Sequence, residues 1–255
     1  DGAEIFARPD GVYAVPFAVD PLVMYWNRDL FASNGLAQAP TTWESVITSV
    51  VPVLTVRDVN RTIIRSALAF GEYRNIRNAK EILSLLLLQS GSRMIEEGDR
   101  GYVVALNEAI SDNSRPPMEA AVQFYTDFSN ANSPSYTWNR SQAEDRDSFV
   151  AGDLAMYFGF GSEVSTISDR NPNLNFDVAS VPQGAGANIR RNYGEFYGFA
   201  VPLAARNPNG AYAAAVTLTK PIYNQVLVDE LLLAPVNRSA LARGSDSALK
   251  QIIYE

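Results

Sequence analysis

The run Tyr13-Ala14-Val15-Pro16-Phe17-Ala18-Val19-Asp20-Pro21-Leu22-Val23-Met24-Tyr25-Trp26-Asn27-Arg28-Asp29-Leu30-Phe31 carries two apolar segments and a helix start in close succession. Val12 to Val19 reads as a strand that Pro16 bends or ends, because proline cannot donate to a ladder. Leu22 to Trp26 is a second apolar run. Asn27 opens a short helix, and Asn34-Gly35 ends it as a left-handed cap. Upstream, Asp10-Gly11 is a turn. Downstream, Thr41 and Glu44 have capping-box spacing and predict a helix to about Val51, before Pro52.

The same alternation continues along the chain. Ile64 to Phe70 is a strand ending at Gly71, and Asn78 to Gln89 is a helix apolar around nearly its whole circumference, hence buried. Pro116-Pro117 opens a helix whose Met118, Ala121, Val122, Tyr125 and Phe128 share one face. Ser141 and Glu144 form a second capping box for a helix ending at Gly152. Strands follow at Leu154–Phe158, Phe176–Val181 and Tyr197–Val201, and a helix at Asn209–Leu218. The Gly/Ala loop Gln183–Asn188 is the best linker candidate. Strands alternating with helices indicate an α/β fold.

Composition removes most chemistry. The 255 residues are 47% hydrophobic and 19% charged, the balance of a globular protein with a sizeable core. The net charge is −7, and the only lysines are Lys80, Lys220 and Lys250, so no nucleic-acid partner is expected. With no cysteine and no histidine, thiolate nucleophiles, Ser–His–Asp triads and His- or Cys-ligated metal sites are impossible. The longest strongly apolar stretch, Ile82 to Leu88, is too short to span a membrane. Neither a cofactor nor a metal is called for.

Three stretches give the chain a family likeness. The first is Tyr13 to Phe31, continued after Gly35-Leu36 by Ala39-Pro40-Thr41-Thr42-Trp43-Glu44. The second is Phe149-Val150-Ala151-Gly152-Asp153-Leu154-Ala155-Met156-Tyr157. The third runs from Asn171-Pro172 through Val181-Pro182-Gln183 and Gly198-Phe199-Ala200-Val201 to Asn207-Pro208. In order and spacing they resemble the family 1 extracellular solute-binding proteins of ABC importers, the group that includes maltose-binding protein. Trp26 and Arg28 stand where the family usually has Tyr and Lys.

The resemblance implies a periplasmic-binding-protein-like two-lobe fold of type II. A nearly complete second lobe (20–189) and a partial first lobe (1–19 and 190–255) are expected, with crossings near 18–21 and 183–193. It also implies a fragment, lacking an amino-terminal stretch and a carboxy-terminal end. The implied function is an extracytoplasmic substrate-binding component, monomeric at full length. It would bind a sugar in an interlobe cleft by hinge closure and deliver it to a membrane permease. The implied location is the periplasm or the cell surface, with lipid anchoring open.

Sugars present apolar ring faces edged by hydroxyls, so their sites combine aromatic platforms with Asp, Asn, Gln or Arg. Tyr136 and Trp138 lie in a polar loop that no apolar period claims. Phe158, Phe160 and Ser162 end the Ala155-Met156 strand among glycines that allow close backbone approach. Tyr193, Glu195, Phe196 and Tyr197 precede the Gly198 strand, and Asp20 sits at the implied first crossing. Tyr73 and Asn75 precede the buried helix. Each has an ordinary structural alternative: loop packing, a buried turn aromatic, hinge packing, or a helix cap in the case of Asp20. The same fold binding a polyamine or other small polar solute is the alternative function. A carboxylate glycoside hydrolase built on Asp145 with Asp147, or Glu96 with Glu97, ranks below it.

Overall fold

The computed structural model describes residues 5–98, 101–106, 116–241 and 248–254. The chain separates into two compact units. The first comprises Asp1–Val23, Phe160–Val164 and Gly194–Glu255; the second comprises Met24–Gly159 and Ser165–Tyr193. These limits lie a few residues beyond the expected crossings, and the short return Phe160–Val164 was not expected.

In the first unit, β1 (Ala7–Arg8) and β2 (Gly11–Val12) form a hairpin across the expected turn. Strand β3 is a single element, Val15–Asn27, where the sequence suggested two. It survives Pro16 because β3 itself bulges there: against β10 (Gly194–Phe199), Tyr197 lies opposite Ala18 and Gly198 opposite Pro16, which leaves Phe17 as the extra residue on β3. On its other edge β3 pairs antiparallel with β11 (Ala234–Pro235), Ala234 opposite Val19. The core here is small: Phe17, Ala18, Val228 and Leu233, with Phe199 and Leu227 against it. The helices Pro208–Leu218 and Pro221–Leu231 complete the packing; the second of these has no counterpart in the sequence reading. Asn224 ties its helix to β3 by donating to the Phe17 carbonyl at 2.8 Å.

In the second unit the strand order is β3, β8 (Leu154–Phe160), β5 (Ile63–Leu68), β4 (Val56–Arg57), and β9 (Phe176–Ala179) pairs antiparallel with the end of β3. β5 and β8 are parallel, Ser66 opposite Leu154. Asn27 caps the helix Arg28–Ser33 by accepting from the Leu30 amide at 3.0 Å. The next cap is Thr42 rather than Thr41: its hydroxyl accepts from the Ser45 amide at 3.2 Å. That helical stretch passes Pro52 and ends at Leu54 by widening into a π turn, Val46–Val50, before the proline. A wide turn is one way to relieve the missing donor and the ring's clash with the preceding turn. The helix Asp145–Ala151 has Glu144, not Ser141, at its cap position, with no side-chain cap bond. The helix Ala79–Gln89 is buried over most of its length, as its all-round apolar pattern predicts.

Two aromatic clusters fill this unit. Phe70 lies 5.0 Å from Phe158, 5.5 Å from Phe128 and 5.7 Å from Trp43. Tyr25 lies 5.7 Å from Tyr157 and 5.9 Å from Phe176. Glu96 and Glu97 lie on the hairpin of β6 (Ile95–Gly98) and β7 (Gly101–Val104).

Candidate functional site

The first unit gathers five of the sequence-predicted site residues: Asp20, Phe160, Ser162, Glu195 and Phe196. Asp20 lies inside β3 and is only 3% exposed, so it is a strand residue and not a helix cap. Ser162 reaches it from the 3-10 turn Gly161–Glu163 that follows β8. The Ser162 hydroxyl donates to Asp20 Oδ2 at 2.6 Å and the Ser162 amide donates to Oδ1 at 3.2 Å. Gly161 permits this approach. A Cβ there would stand 3.0 Å from Ile253 Cγ1 and 3.5 Å from Asp20 Oδ1.

The β3–β10 register sets Glu195 opposite Asp20. Glu195 Oε2 accepts from the Tyr197 hydroxyl at 3.1 Å, and Glu163 Oε1 accepts from the Phe160 amide at 3.0 Å. Burial pushes the Asp20 carboxyl up to about 6, and the charges of Glu163 and Glu195 add to the rise, while both Ser162 bonds oppose it. Burial, the Glu195 hydrogen bond and the nearby carboxylates push Tyr197 up to about 12. Phe160 is half-buried, and Phe196 and Tyr197 are exposed on β10. The arrangement therefore offers carboxylate acceptors with the exposed Tyr197 ring on the same face of β10, while Phe196 lies on the other face. Glu163 was missed at sequence level, although it directly follows Phe160-Gly161-Ser162. Tyr197 was legible only as part of the aromatic cluster around it.

The remaining candidates belong to the second unit. Trp138 is 1% exposed: its ring turns from the polar loop into the core. Phe158 is 2% exposed and stacks on Trp43 at 5.7 Å. Both side chains are structural in this conformation: the strand and loop that carry them turn inward. Asn75 is also committed, its amide donating to the carbonyls of Asn139 at 2.9 Å and Gln142 at 3.1 Å. Tyr136 is half-buried, and its hydroxyl accepts from Asn139 at 2.7 Å. Tyr73 is 77% exposed, and Tyr193 is half-buried just before β10.

Three of the four carboxylates considered for catalysis, Asp145, Asp147 and Glu96, have structural partners. Asp145 is buried, not exposed, and accepts from the backbone amides of Arg77 and Arg146. Asp147 pairs with Arg170 at 2.7 Å, and Glu96 pairs with Arg93. Among the described residues, no cluster of three or more acidic, His or Cys side chains is disposed to hold a metal, and no helix is long and apolar enough to cross a membrane.

Comparison with known proteins identifies the class. Residues 2–225 match the family described as bacterial extracellular solute-binding protein, and the chain belongs to that family. No curated protein matches the chain. Among solved structures it is similar to an ABC transporter solute-binding protein of Thermotoga lettingae bound with α-D-tagatose. The TM-score is 0.69 at 18% identity over 99% of this chain and 62% of that one. It is similar to the GacH receptor of Streptomyces glaucescens, solved unliganded and with acarbose, with TM-score 0.72, 17% identity, and 98% and 60% of the two chains covered. It is also similar to UgpB of Mycobacterium tuberculosis in complex with glycerophosphocholine, with TM-score 0.67, 17% identity, and 98% and 57% covered. The fold is therefore the mixed α/β fold of two-lobe periplasmic binding proteins, and the chain spans about three fifths of the length of these structures.

Proposed function

We propose that the protein containing this chain is the extracytoplasmic substrate-binding component of an ABC importer and that its ligand is a sugar or oligosaccharide. In this reading Asp20, Ser162 and Glu195 supply hydrogen-bonding groups and Phe160 supplies apolar surface, while Phe196, on the other face of β10, and Tyr193, in the second unit, are secondary candidates. The observation that carries the proposal is the buried Asp20 carboxylate. Ser162 holds it from two atoms and Glu195 lies opposite, with the Tyr197 hydroxyl bonded to Glu195 on the same face. A fixed carboxylate accepts paired hydroxyl donors, and an aromatic face covers the apolar side of a pyranose. Trp138 and Phe158 are left out because their burial already accounts for them. Tyr73, Asn75 and Tyr136 keep a place only as secondary candidates.

The whole protein would act by closing its two lobes on the ligand, so that binding selects the closed state. It would work as a monomer outside the cytoplasm, anchored by lipid or free, and hand its ligand to a permease without chemistry. The second reading, a cationic solute such as a polyamine, draws on Asp20 with Glu163 and Glu195, two carboxylates near enough to raise the Asp20 pKa. The test is a thermal-shift screen of the full-length protein against mono- and oligosaccharides and against polyamines. Stabilisation by one or more sugars is expected; stabilisation by polyamines alone would replace sugar with the second reading.

A further inference from the structure

The second unit carries a pocket that contains none of the residues assigned to the ligand site and, of the secondary candidates, only Tyr136. It is a cavity of about 340 Å³ between the turn joining β4 to β5 and the loop Ala131–Tyr136. Its lining includes Arg57, Arg61, Asn132, Ser133 and Tyr136, and no carboxylate. That is unusual for this chain, which has 28 acidic residues against 21 basic ones. Elsewhere several arginines find acidic partners: Arg77 with Glu144, Arg140 with Glu72, Arg170 with Asp147.

The two guanidiniums are held differently. Arg57 donates to the Tyr136 carbonyl and lies over the Tyr136 ring, 5.6 Å from its centroid. One hydrogen bond and a cation–π contact fix the plane of the fork and leave further N–H donors free. Arg61 stands at φ +64° in the turn, a conformation that a long side chain seldom adopts. The turn sustains it: Asp58 Oδ1 accepts from the Asn60 and Thr62 amides, both at 2.8 Å, and the Arg61 amide donates to the Asp58 carbonyl at 3.0 Å. The nearest carboxylate on this turn is thus engaged with its own backbone. The Arg61 side chain has no ion-pair or hydrogen-bond partner among the described residues. Asn132 and the Ser133 hydroxyl add neutral donors on the facing loop.

We propose that this pocket binds a phosphate group, gripped by Arg57 and Arg61 and completed by Asn132 and Ser133. Paired planar forks suit the oxygens of a phosphate, and charge-assisted bonds are the strong ones. The phosphate chemistry is shared by free inorganic phosphate and by the headgroup of an anionic phospholipid, and the experiment separates these sources.

The experiment titrates inorganic phosphate into the full chain while following the side-chain Nε–Hε signals of Arg57 and Arg61 by NMR. In parallel, co-sedimentation is measured with phosphatidylcholine vesicles with and without phosphatidylglycerol. Arg61→Asn removes the charge but tolerates the left-handed turn, and Arg57→Lys keeps the charge but loses the fork. Saturable shifts at both arginines, weakened about tenfold in Arg61→Asn and also in Arg57→Lys, are expected, and they should diminish as salt rises. With no difference between the vesicles, that result assigns free phosphate. Sedimentation that requires phosphatidylglycerol and is lost in Arg61→Asn assigns the headgroup. If neither probe engages the two arginines, or both variants bind as the parent does, the pocket is not a phosphate site.

Discussion

The helix Ala79–Gln89 of the second unit and the helix Pro221–Leu231 of the first are both rich in apolar residues, yet they meet opposite surroundings. In the former, Ile82, Leu85, Leu86 and Leu87 are all buried. In the latter only Asn224 and Val228 are buried, while Ile222 is 72% exposed and Tyr223, Val226 and Leu231 are exposed beside it. The neighbouring helix Pro208–Leu218 repeats this, with Tyr212 and Leu218 exposed and Ala215 alone buried. The helix of the second unit is therefore packed into a core, whereas the two helices of the first carry apolar side chains that its core does not cover. A contiguous apolar face of this kind seeks cover from other chain or from another copy.

The largest expected effect lies on the well-packed side. Trp138→Ala should cost about 3–5 kcal/mol because it empties a core position. Urea denaturation measures it; a loss below about 1 kcal/mol would mean that the ring is not packed as described. The next effect belongs to Asp20. Its folded pKa of about 6 lies above its ordinary value of 3.8, so the stability linked to its protonation is present below about 4 and is lost as pH rises through 6. Asp20→Asn should then raise stability at pH 8 by roughly 2–3 kcal/mol and flatten the pH dependence across that window. Parallel pH profiles for the two proteins would remove the burial argument.

The smallest effect is on the exposed face. Ile222→Ser with Val226→Ser should change stability by less than about 0.5 kcal/mol per site while reducing self-association and dye binding by the 255-residue chain. Sedimentation velocity checks this. Unchanged association would show that the face plays no part in it.

The same contrast explains what could be read from sequence. The buried helix Ala79–Gln89 was legible because its pattern is apolar all round, and the strands β5, β8 and β9 because each apolar run ends at a glycine, turn or proline. β3 was misread as two pieces, since the bulge at Phe17 that accommodates Pro16 exists only in the pairing with β10, a strand far away in sequence. The helix Pro221–Leu231 went unread because its mixed pattern promises no packed face, and in this unit little of it is packed. At the site, Asp20, Phe160, Ser162 and Glu195 stood out by residue type near glycines and crossings. Trp138 and Phe158 stood out for the same reason and turned inward. Residue type does not encode which way a loop side chain points; that depends on partners such as Trp43 and Phe70.

The proposed ligand site is tested most directly by calorimetric titration of the sugar identified by the thermal-shift screen into the full-length protein, Phe160→Ala and Asp20→Asn. Losing the aromatic surface should weaken binding about tenfold, and losing the carboxylate should weaken it by at least as much. Affinity equal to the parent's in both variants, with the fold intact by circular dichroism, would contradict the assignment of the site to Asp20 and its surroundings.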